Sequence, residues 1–387
     1  MDKIKVLHFI YNLNQGGAET LVKDYALLID KTKFDIVILC HDRINSPYEK
    51  ILKSAGIRVV YVSDKIPLKK LYFIPIIHKI VCHTYLDKFL ARYIIKRENP
   101  DIIHTHLLYN DFVRFSCVAP KIKMFHTVHS QPQAYWGSET RGSKIDYRAC
   151  TYLIKKYSMI FIALNEPMRL ELNELFHVNN TVVLNNGIDF QKFTVAESKE
   201  SIRKSLGIKE DCFLVGHVGR FVPVKNHDLI VDSFKELTKL RNNAHLLLVG
   251  TGELRSKIEA KIKALVIDDK VTILDSRTDI PRIMKSLDVF IFPSFFEGLG
   301  IVLIEAQKMG IPCVISSAIP EAAVVSNLVH RMPQNATSKE WAEQLQNFRV
   351  NSIIYNGIEN WDMNVVIKKL EYIYQQAVSN NANTTHQ

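Results

Sequence analysis

The sequence lacks several patterns that would define a class of protein at once. Its six cysteines among 387 residues are scattered and form no C-x-x-C pair. This argues against a zinc site or a disulfide framework and predicts buried free thiols in a reducing compartment. No stretch approaches the roughly 18 consecutive apolar residues of a spanning helix, and the polar first ten residues do not resemble a signal peptide. We therefore expect a cytoplasmic protein.

Three ligand-binding motifs are also missing. The chain has no D-x-D pair, so it lacks a common way of holding a divalent ion against phosphate oxygens. It has no G-x-G-x-x-G fingerprint after the first strand and no interleaved aromatic and basic residues typical of nucleic-acid binding. We expect no metal, no cofactor and no nucleic-acid partner. Any bound phosphate group would have to be neutralised by cations and backbone amides.

Positive charge is concentrated in the first half of the chain. Residues 1–185 hold 26 Lys and Arg against 17 Asp and Glu, whereas the whole chain has a net charge of +10. Many of these cations fall in the segment Leu68–Arg97. Nucleic acid, an anionic membrane surface or an anionic lipid would each explain the excess, and a solvated basic face is the alternative. Our hypothesis is peripheral docking at the inner face of the plasma membrane.

Apolar strands alternate with helical patterns along the chain. A first series runs from the strand Ile4–Ile10 to the strand Thr181–Leu184, and the segment Asn185–Glu200 then breaks the pattern. A second series runs from the strand Phe213–Val218 to the strand Cys313–Ser316. This order predicts two α/β domains, each with a doubly wound parallel sheet, and a cleft between them. Ligands of such sheets bind beyond the carboxyl ends of the strands.

The segment F-F-E-G-L-G-I-V-L-I-E, which ends at Glu305, is the most informative. Glu297 and Glu305 lie eight residues apart, slightly over two helical turns, so both carboxylates are expected on one side near a helix N-terminus. We predict this helix at Leu303–Met309. Amides at a helix N-terminus favour phosphate, and carboxylates beside phosphate need partners such as sugar hydroxyls. The segment therefore predicts a nucleotide-sugar site.

Two glycine-containing loops follow strands of the second series. Gly219 and Arg220 end one strand, and Lys225 follows in the same loop. A guanidinium fork and an ammonium group there can clamp a diphosphate, although two solvated cations remain an alternative. Gly250 and Gly252 end the next strand, which taken alone is a weak signal.

Glycines and histidines follow strands of the first series. Gly16 and Gly17 open a helix after the first strand, where they either admit a phosphate or simply form a tight turn.

Histidines also end strands of this series. The spacing of these histidines and the absence of an acidic cluster make them poor metal ligands, so each either contacts a sugar or phosphate or has a structural role. We favour His129 for substrate contact, because it directly precedes a loop. Four histidines end two strands: His104, His106, His126 and His129.

In this order and spacing, the motifs resemble the retaining glycosyltransferases of family 4, which have the GT-B fold. The resemblance covers nearly the whole chain, and its strongest element is the E-x7-E pair Glu297 and Glu305. It implies two Rossmann-like domains that face each other across a cleft. Residues 1–190 would bind the acceptor, residues 191–363 would bind the donor, and a C-terminal helix within 364–387 would cross back to the first domain.

The resemblance also implies a role for each matching residue. Arg220 and Lys225 correspond to the clamp on the donor diphosphate. Glu297 corresponds to the carboxylate that contacts the donor sugar, and Glu305 to the one that holds the ribose hydroxyls. His129 corresponds to a histidine at the donor-sugar face of the acceptor domain. The remaining donor-binding positions are Gly16, Gly17, Gly219, Gly250, Gly252, Gly298, Leu299, Gly300 and Ile301.

The chain departs from the family at Ser326–Met332, where many members carry a D-G-x-x-G segment. Members that make capsular or exopolysaccharide repeat units often vary there. We therefore predict a metal-independent, retaining hexosyltransferase that uses a UDP-sugar and a polyprenyl-diphosphate-linked glycan acceptor. The alternatives are an enzyme similar to nucleotide-sugar 2-epimerases and a non-catalytic nucleotide-sugar-binding protein.

Overall fold

The computed structural model of the chain describes residues 2–14, 16–65, 86–107, 109–138 and 140–382. The chain divides into two compact units: unit 1 is Met1–Gly187 with Met363–Gln387, and unit 2 is Ile188–Asp362. Most of the basic segment Leu68–Arg97 lies outside the described residues. Across the part of the chain that the structure describes, no helix has the length and apolar character needed to span a membrane.

Unit 1 contains a parallel sheet flanked by helices. Its strands are β1 (Ile4–Ile10), β2 (Phe34–Cys40), β3 (Arg58–Tyr61), β4 (Ile102–His106), β5 (Lys123–Thr127), β6 (Ile160–Ala163) and β7 (Val182–Val183). Its first seven described helices are α1 (Gly17–Leu28), α2 (Pro47–Ser54), α3 (Leu86–Glu98), α4 (Asn110–Ser116), α5 (Pro132–Trp136), α6 (Arg141–Tyr157) and α7 (Glu166–Phe176), with a 3₁₀ turn at Ser63–Lys65.

The sheet of unit 1 has the order β3-β2-β1-β4-β5-β6-β7, with every neighbouring pair parallel. The chain winds outward from β1 to one edge and then from β4 to the other. The central strand β1 is buried from Val6 to Ile10 because helices cover both faces of the sheet. The carboxyl ends of β1 and β4 therefore meet at the point where the strand order reverses.

Unit 2 repeats this architecture with fewer strands. Its strands are β8 (Phe213–Val218), β9 (Ala244–Val249), β10 (Val271–Leu274), β11 (Val289–Phe292), β12 (Cys313–Ser316) and β13 (Val329–Met332). Its α-helices are α8 (Lys199–Ser205), α9 (His227–Leu240), α10 (Arg255–Ala264), α11 (Ile280–Ser286), α12 (Ile301–Lys308) and α13 (Ser338–Asn347). Short 3₁₀ turns lie at Phe190–Phe193, Pro223–Lys225, Asp268–Lys270, Glu321–Ala323 and Ile358–Trp361.

The sheet of unit 2 has the order β10-β9-β8-β11-β12-β13 and is also parallel throughout. Its order reverses between β8 and β11, which places the loops that follow these two strands side by side. The two ends of unit 2 are also paired. Ile188 forms a parallel bridge with Asp362, and its N–H donates to the carbonyl of Trp361 at 2.7 Å.

The last described helix, α14 (Met363–Ala382), belongs to unit 1. Val366, Leu370 and Tyr374 are buried in the core of unit 1, and the hydroxyl of Tyr374 lies 2.6 Å from Nδ1 of His104. The two doubly wound domains and the return of the C-terminal helix to the first domain are thus confirmed.

Two elements that the sequence pattern did not predict begin at strong helix caps. Asn165 caps α7 by accepting from the N–H of Met168 at 2.9 Å. Thr337 caps α13 through a reciprocal capping box with Glu340, which satisfies two N–H groups that the first turn leaves unpaired.

The prediction that the cysteines are buried is wrong for Cys117, which is exposed at the C-terminus of α4.

Candidate functional site

The loops that follow β8 and β9 form one continuous platform in unit 2. The N–H of Gly219 donates to the carbonyl of Val249 at 2.9 Å, and the N–H of Phe221 donates to the carbonyl of Thr251 at 2.8 Å. The N–H of Leu254 then donates to the carbonyl of Phe221 at 3.0 Å. Backbone pairing therefore continues beyond the ends of the strands and fixes the loop that carries the two predicted cations.

Glycine is required where these two loops touch. A Cβ on Gly250 would lie 2.1 Å from the carbonyl oxygen of Gly219, and a Cβ on Gly252 would lie 2.5 Å from that of Phe221. Both glycines also have positive φ angles, +150° and +155°, which other residues rarely adopt. Close packing of two backbones therefore accounts for Gly250 and Gly252, in addition to the donor contact predicted for them.

Lys225 and Glu297 form a largely buried ion pair. The loop after β11 reaches the loop after β8 through a hydrogen bond of 2.9 Å from the N–H of Phe295 to the carbonyl of Val224. This contact brings Nζ of Lys225 to 2.6 Å from Oε1 of Glu297, with the two side chains 16% and 14% exposed. The ammonium also lies 5.1 Å from the ring centroid of Phe292, a cation–π distance. The structure thus joins two predicted site residues 72 positions apart.

The two glutamates lie on either side of a helix start, and the helix begins two residues earlier than its predicted start. Helix α12 begins at Ile301 instead of the predicted Leu303, and Gly300 precedes it in the left-handed conformation with φ +81°. Glu297 consequently lies in the loop, and only Glu305 lies on the helix. Leu299 anchors the turn, because its side chain is only 3% exposed. Helix geometry leaves the first N–H groups of α12 without intrahelical acceptors, and apart from that of Leu303, which donates to the carbonyl of Gly300 at 2.9 Å, they suit an anion.

Glu305 is a partly exposed carboxylate on α12, and no hydrogen-bond or ion-pair partner is seen for it among the described residues. Desolvation raises the pKa of Glu305 from 4.5 to about 7. A carboxylate that is desolvated without a partner destabilises the protein when it is charged, and hydroxyl donors from a ligand would relieve that cost. The environment of Glu305 therefore suits a residue that accepts hydrogen bonds from a ligand.

Arg220 extends from the platform into solvent. It is exposed, and no ion pair or hydrogen bond of its guanidinium is seen among the described residues. Five N–H donors at the edge of the platform can therefore meet an anion without breaking an existing contact. This contrasts with Lys225, whose ammonium is already paired.

In unit 1, Gly16 and Gly17 lie where helix α1 begins. Gly16 is the N-cap residue, in an extended conformation with φ −119°, and Gly17 is the first helical residue. A Cβ on Gly17 would meet nothing within 4 Å, whereas one on Gly16 would lie 2.3 Å from Oε2 of Glu19. The space above Gly17 is therefore open.

The four predicted histidines of unit 1 lie close together, and a fifth joins them. His8 on β1 is paired in register with His104 on β4, and Nδ1 of His8 lies 3.0 Å from Nε2 of His106. Nδ1 of His106 in turn lies 3.1 Å from Nε2 of His129. Nδ1 of His126 lies 2.9 Å from the hydroxyl of Thr105 and is not part of this chain. Sequence reasoning missed His8, because one histidine within the buried run Val6–Ile10 gives no sign of its partners on another strand.

His129 lines a cavity of about 240 Å³ in unit 1. Ser130, Tyr135 and Trp136 share the lining, and the indole N–H of Trp136 donates to Oδ2 of Asp146 at 3.2 Å. His129 is partly exposed, whereas the other four histidines are buried. Of the five, His129 is therefore the best placed to contact a ligand.

The histidine cluster is better suited to hydrogen bonding than to a metal. His8, His104 and His106 bring ring nitrogens within 4.8 Å of one another. Both nitrogens of His104 are already bonded, to Tyr374 and Thr127, and both nitrogens of His106 contact other histidines. A divalent ion at these three buried rings would also bring two positive charges without a carboxylate ligand.

Comparisons with known proteins agree with this architecture. The family profile described as "Glycosyltransferase Family 4" matches residues 15–192, and the profile "Glycosyl transferases group 1" matches residues 198–352. EpsF of Bacillus subtilis (strain 168) is 28% identical over 352 residues, which are 88% of this chain and 86% of EpsF. The Escherichia coli UDP-Gal:alpha-D-GlcNAc-diphosphoundecaprenol alpha-1,3-galactosyltransferase is 27% identical over 339 residues, which are 84% of this chain and 82% of that enzyme.

A solved structure shows the same fold. Anabaena HepE, crystallised with UDP and glucose, superimposes with a TM-score of 0.71 at 18% identity and 99% coverage of both chains. The fold is therefore that of the GT-B glycosyltransferases. The chain belongs to these glycosyltransferases, with a family 4 domain in its first half and a group 1 domain in its second half.

Proposed function

We propose that this glycosyltransferase moves a sugar from a UDP-sugar to a hydroxyl of a polyprenyl-diphosphate-linked glycan, with retention of the anomeric configuration. The observation that carries the proposal is the ion pair between Lys225 and Glu297 at the carboxyl edge of the sheet of unit 2. It lies beside the loop of Arg220 and precedes the N-terminus of α12. A cation, helix amides and a carboxylate thus lie where a diphosphate and a sugar would meet.

Charge stabilisation is the main contribution of unit 2 to this mechanism. Arg220 and Lys225 bind the diphosphate, and the amides of Gly298 to Gly300 meet the charge that develops on the leaving phosphate. Glu297 accepts hydrogen bonds from the transferred sugar, and Glu305 accepts them from the ribose. Because Lys225 already neutralises Glu297, this carboxylate is a poor metal ligand, so we propose that the reaction needs no divalent ion.

Retention then arises because the acceptor hydroxyl attacks the anomeric carbon on the same face from which the leaving group departs. Lys225 holds the carboxylate of Glu297, which lowers its strength as a nucleophile toward the anomeric carbon. The acceptor hydroxyl instead attacks beside the departing β-phosphate, and an oxygen of that phosphate takes its proton. His129 contributes a hydrogen bond to a hydroxyl of the sugar.

Two relatives support the donor and the acceptor. The Escherichia coli enzyme is named for UDP-galactose and a diphosphoundecaprenol-linked sugar, and HepE was solved with UDP. A lipid-linked acceptor also gives the basic first half of this chain a function. We therefore place the protein on the cytoplasmic side of the membrane, in the assembly of a surface polysaccharide such as capsule or exopolysaccharide.

Helix α3 supports membrane docking. Phe89 and Tyr93, one turn apart, are 55% and 58% exposed, and the exposed cations Lys96 and Arg97 follow in the next turn. Aromatic and basic side chains on one exposed helix suit the interface of an anionic membrane. Lys88 and Arg97 contribute less than Lys96, because Lys88 is paired with Asp111 and Arg97 with Glu98.

The decisive experiment has two stages. Thermal shifts with UDP-, GDP- and ADP-sugars identify the donor, and we expect the largest shift with a UDP-sugar. The purified protein is then given that donor and a lipid-linked monosaccharide, and NMR of the product reads the anomeric configuration. An α-linked disaccharide from an α-linked donor supports the proposal, whereas an inverted linkage refutes retention. Nucleotide release with sugar interconversion and no acceptor product would instead indicate the 2-epimerase reaction.

A further inference from the structure

We infer that His8 and His106 are positioning residues that fix which ring nitrogen of His129 carries its proton, through a continuous chain of imidazole contacts. The inference rests on the proposed contact between His129 and a sugar hydroxyl for its catalytic meaning. The chain itself is independent of that contact. It crosses the centre of unit 1, from the buried strand β1 through β4 to the loop after β5.

Two contacts link the three rings. Nδ1 of His8 lies 3.0 Å from Nε2 of His106, and Nδ1 of His106 lies 3.1 Å from Nε2 of His129. Both distances are those of hydrogen bonds. Each contact therefore needs one protonated and one unprotonated nitrogen, so the proton position on one ring dictates the position on the next.

The three rings are neutral at physiological pH. Burial lowers the pKa of His8 to about 3 and that of His129 to about 4, and burial with neighbouring imidazoles holds the pKa of His106 well below its usual value. A neutral imidazole has one donor and one acceptor nitrogen. Only two arrangements keep both contacts: all three rings carry the proton on Nδ1, or all three carry it on Nε2.

The buried end of the chain selects between these arrangements. Nε2 of His8 is buried and has no partner among the described residues. If the protons lay on Nε2, this atom would be a buried N–H without an acceptor, and orphaned N–H groups are the rarer defect in proteins. With all three protons on Nδ1, the same Nε2 of His8 is instead an acceptor with an unused lone pair. The chain therefore places the proton of His129 on Nδ1, and His129 presents an N–H donor to its cavity.

A donor at this point matters because a sugar hydroxyl can both donate and accept. A histidine free to change tautomer would bind such a hydroxyl in either direction, whereas a fixed N–H accepts only the orientation in which the hydroxyl oxygen faces it. The chain thus restricts how the hydroxyl is held, without a charge on any of the three rings.

Nitrogen NMR of the intact protein, labelled with ¹⁵N-histidine, tests the chain directly. Long-range ¹H–¹⁵N correlations distinguish the two tautomers, and single histidine variants assign the signals. We expect Nδ1–H on His8, His106 and His129. Free neutral histidine prefers Nε2–H, so this result would not arise by default. Mixed tautomers among the rings, or exchange at His129, would overturn the coupling, and uniform Nε2–H would overturn the assigned direction.

Variants test whether the coupling affects catalysis. His106→Phe removes both contacts, and we expect kcat to fall about tenfold with little change in KM for the donor. His104→Phe is the matched control, because it removes two hydrogen bonds from a neighbouring buried ring outside the chain. It should leave the tautomer of His129 and kcat within about twofold of wild type. Equal losses of kcat in both variants would mean that the effect is structural.

A second pair of variants covers the case in which His106→Phe does not fold. His8→Phe removes the terminal donor and should release the tautomer of His129, whereas His8→Asn retains an amide donor near Nδ1 and should preserve it. If both leave the tautomer unchanged, His8 does not fix it. The spectra need no substrate, so they remain interpretable even if the wild-type protein transfers no sugar.

Discussion

The ammonium of Lys225 lies 2.6 Å from Oε1 of Glu297, and together they form the centre of the candidate donor site. Each side chain is mostly buried, so removing one would leave the charge of the other uncompensated. The two residues therefore depend on each other before a substrate binds, although Lys225 is proposed to contact the diphosphate and Glu297 the sugar.

We expect Lys225→Ala and Glu297→Ala each to lower the rate of sugar transfer about 100-fold or more, because Lys225 stabilises the charge of the leaving phosphate and Glu297 positions the transferred sugar. The double variant should lose less than the sum of the two free-energy effects. The exposed pair Lys239 and Glu236 on α9 is a matched control whose removal should leave the rate unchanged. Wild-type turnover in either single variant, with circular dichroism showing an intact fold, would refute this site.

The raised pKa of Glu305 predicts that pH affects stability in a defined direction. The pKa of Glu305 is about 7 in the folded protein and 4.5 for the ordinary side chain. Protonated Glu305 therefore contributes stability that is fully present below about pH 4.5 and is lost as pH rises through 7. Glu305→Gln should remove this dependence and be more stable than wild type at pH 8 by about 2 kcal/mol. Unfolding midpoints at pH 5 and pH 8 measure it, with the exposed Glu343→Gln as control. Parallel curves for wild type and Glu305→Gln would contradict it.

Gly252→Ala should destabilise unit 2 by about 1–3 kcal/mol, since φ is +155° and the new Cβ would press on the backbone of Phe221. The donor should also bind more weakly, because the platform that carries Arg220 would shift. Gly142→Ala is the control, as that glycine lies in α6 with open space around it. Thermal unfolding and nucleotide titration measure both effects, and an unchanged midpoint for Gly252→Ala would contradict the packing argument.

Replacing both Phe89 and Tyr93 by Ser should weaken binding to vesicles of phosphatidylcholine with phosphatidylglycerol at least several-fold, because the exposed aromatic surface of α3 is lost. Cosedimentation measures the bound fraction. The difference between mixed vesicles and pure phosphatidylcholine vesicles gives the part of the binding that needs anionic lipid. Leu170→Ser removes an equally exposed apolar side chain from α7 and should have no effect. Equal absence of wild-type binding to both vesicles would refute docking.

The sheets were predictable from the sequence because buried parallel strands are continuous apolar runs bounded by turn residues. The strands β1, β8 and β11 lie at their predicted positions, and the chemically informative loops follow them. The helix α13 was harder, because only three of its ten residues are apolar, whereas α7 was missed although Met168, Leu172 and Phe176 have helical spacing. Their caps, Asn165 and Thr337 with Glu340, were nevertheless visible in the sequence.

The candidate site was only partly predictable. The spacing of Glu297 and Glu305 indicated that both lie near a helix N-terminus, but the helix begins at Ile301, directly after the left-handed Gly300 and two residues before its predicted start. The pairing of Lys225 with Glu297 depends on two loops that only the folded sheet brings together. His8 was missed because a single histidine in an apolar strand has no local signal, and its partners come from β4, nearly 100 residues away.

The division of the chain has a consequence for its synthesis. Unit 2 is continuous and its two ends are paired through Ile188 and Asp362, so it can complete its core as soon as that segment leaves the ribosome. Unit 1 is synthesised first, but it cannot complete its core until α14 brings Tyr374 to His104. We expect the usual N-terminal-first order to be reversed. Limited proteolysis of a chain truncated after Asp362 should find unit 2 protected and unit 1 cleaved, and protection of both would contradict this order.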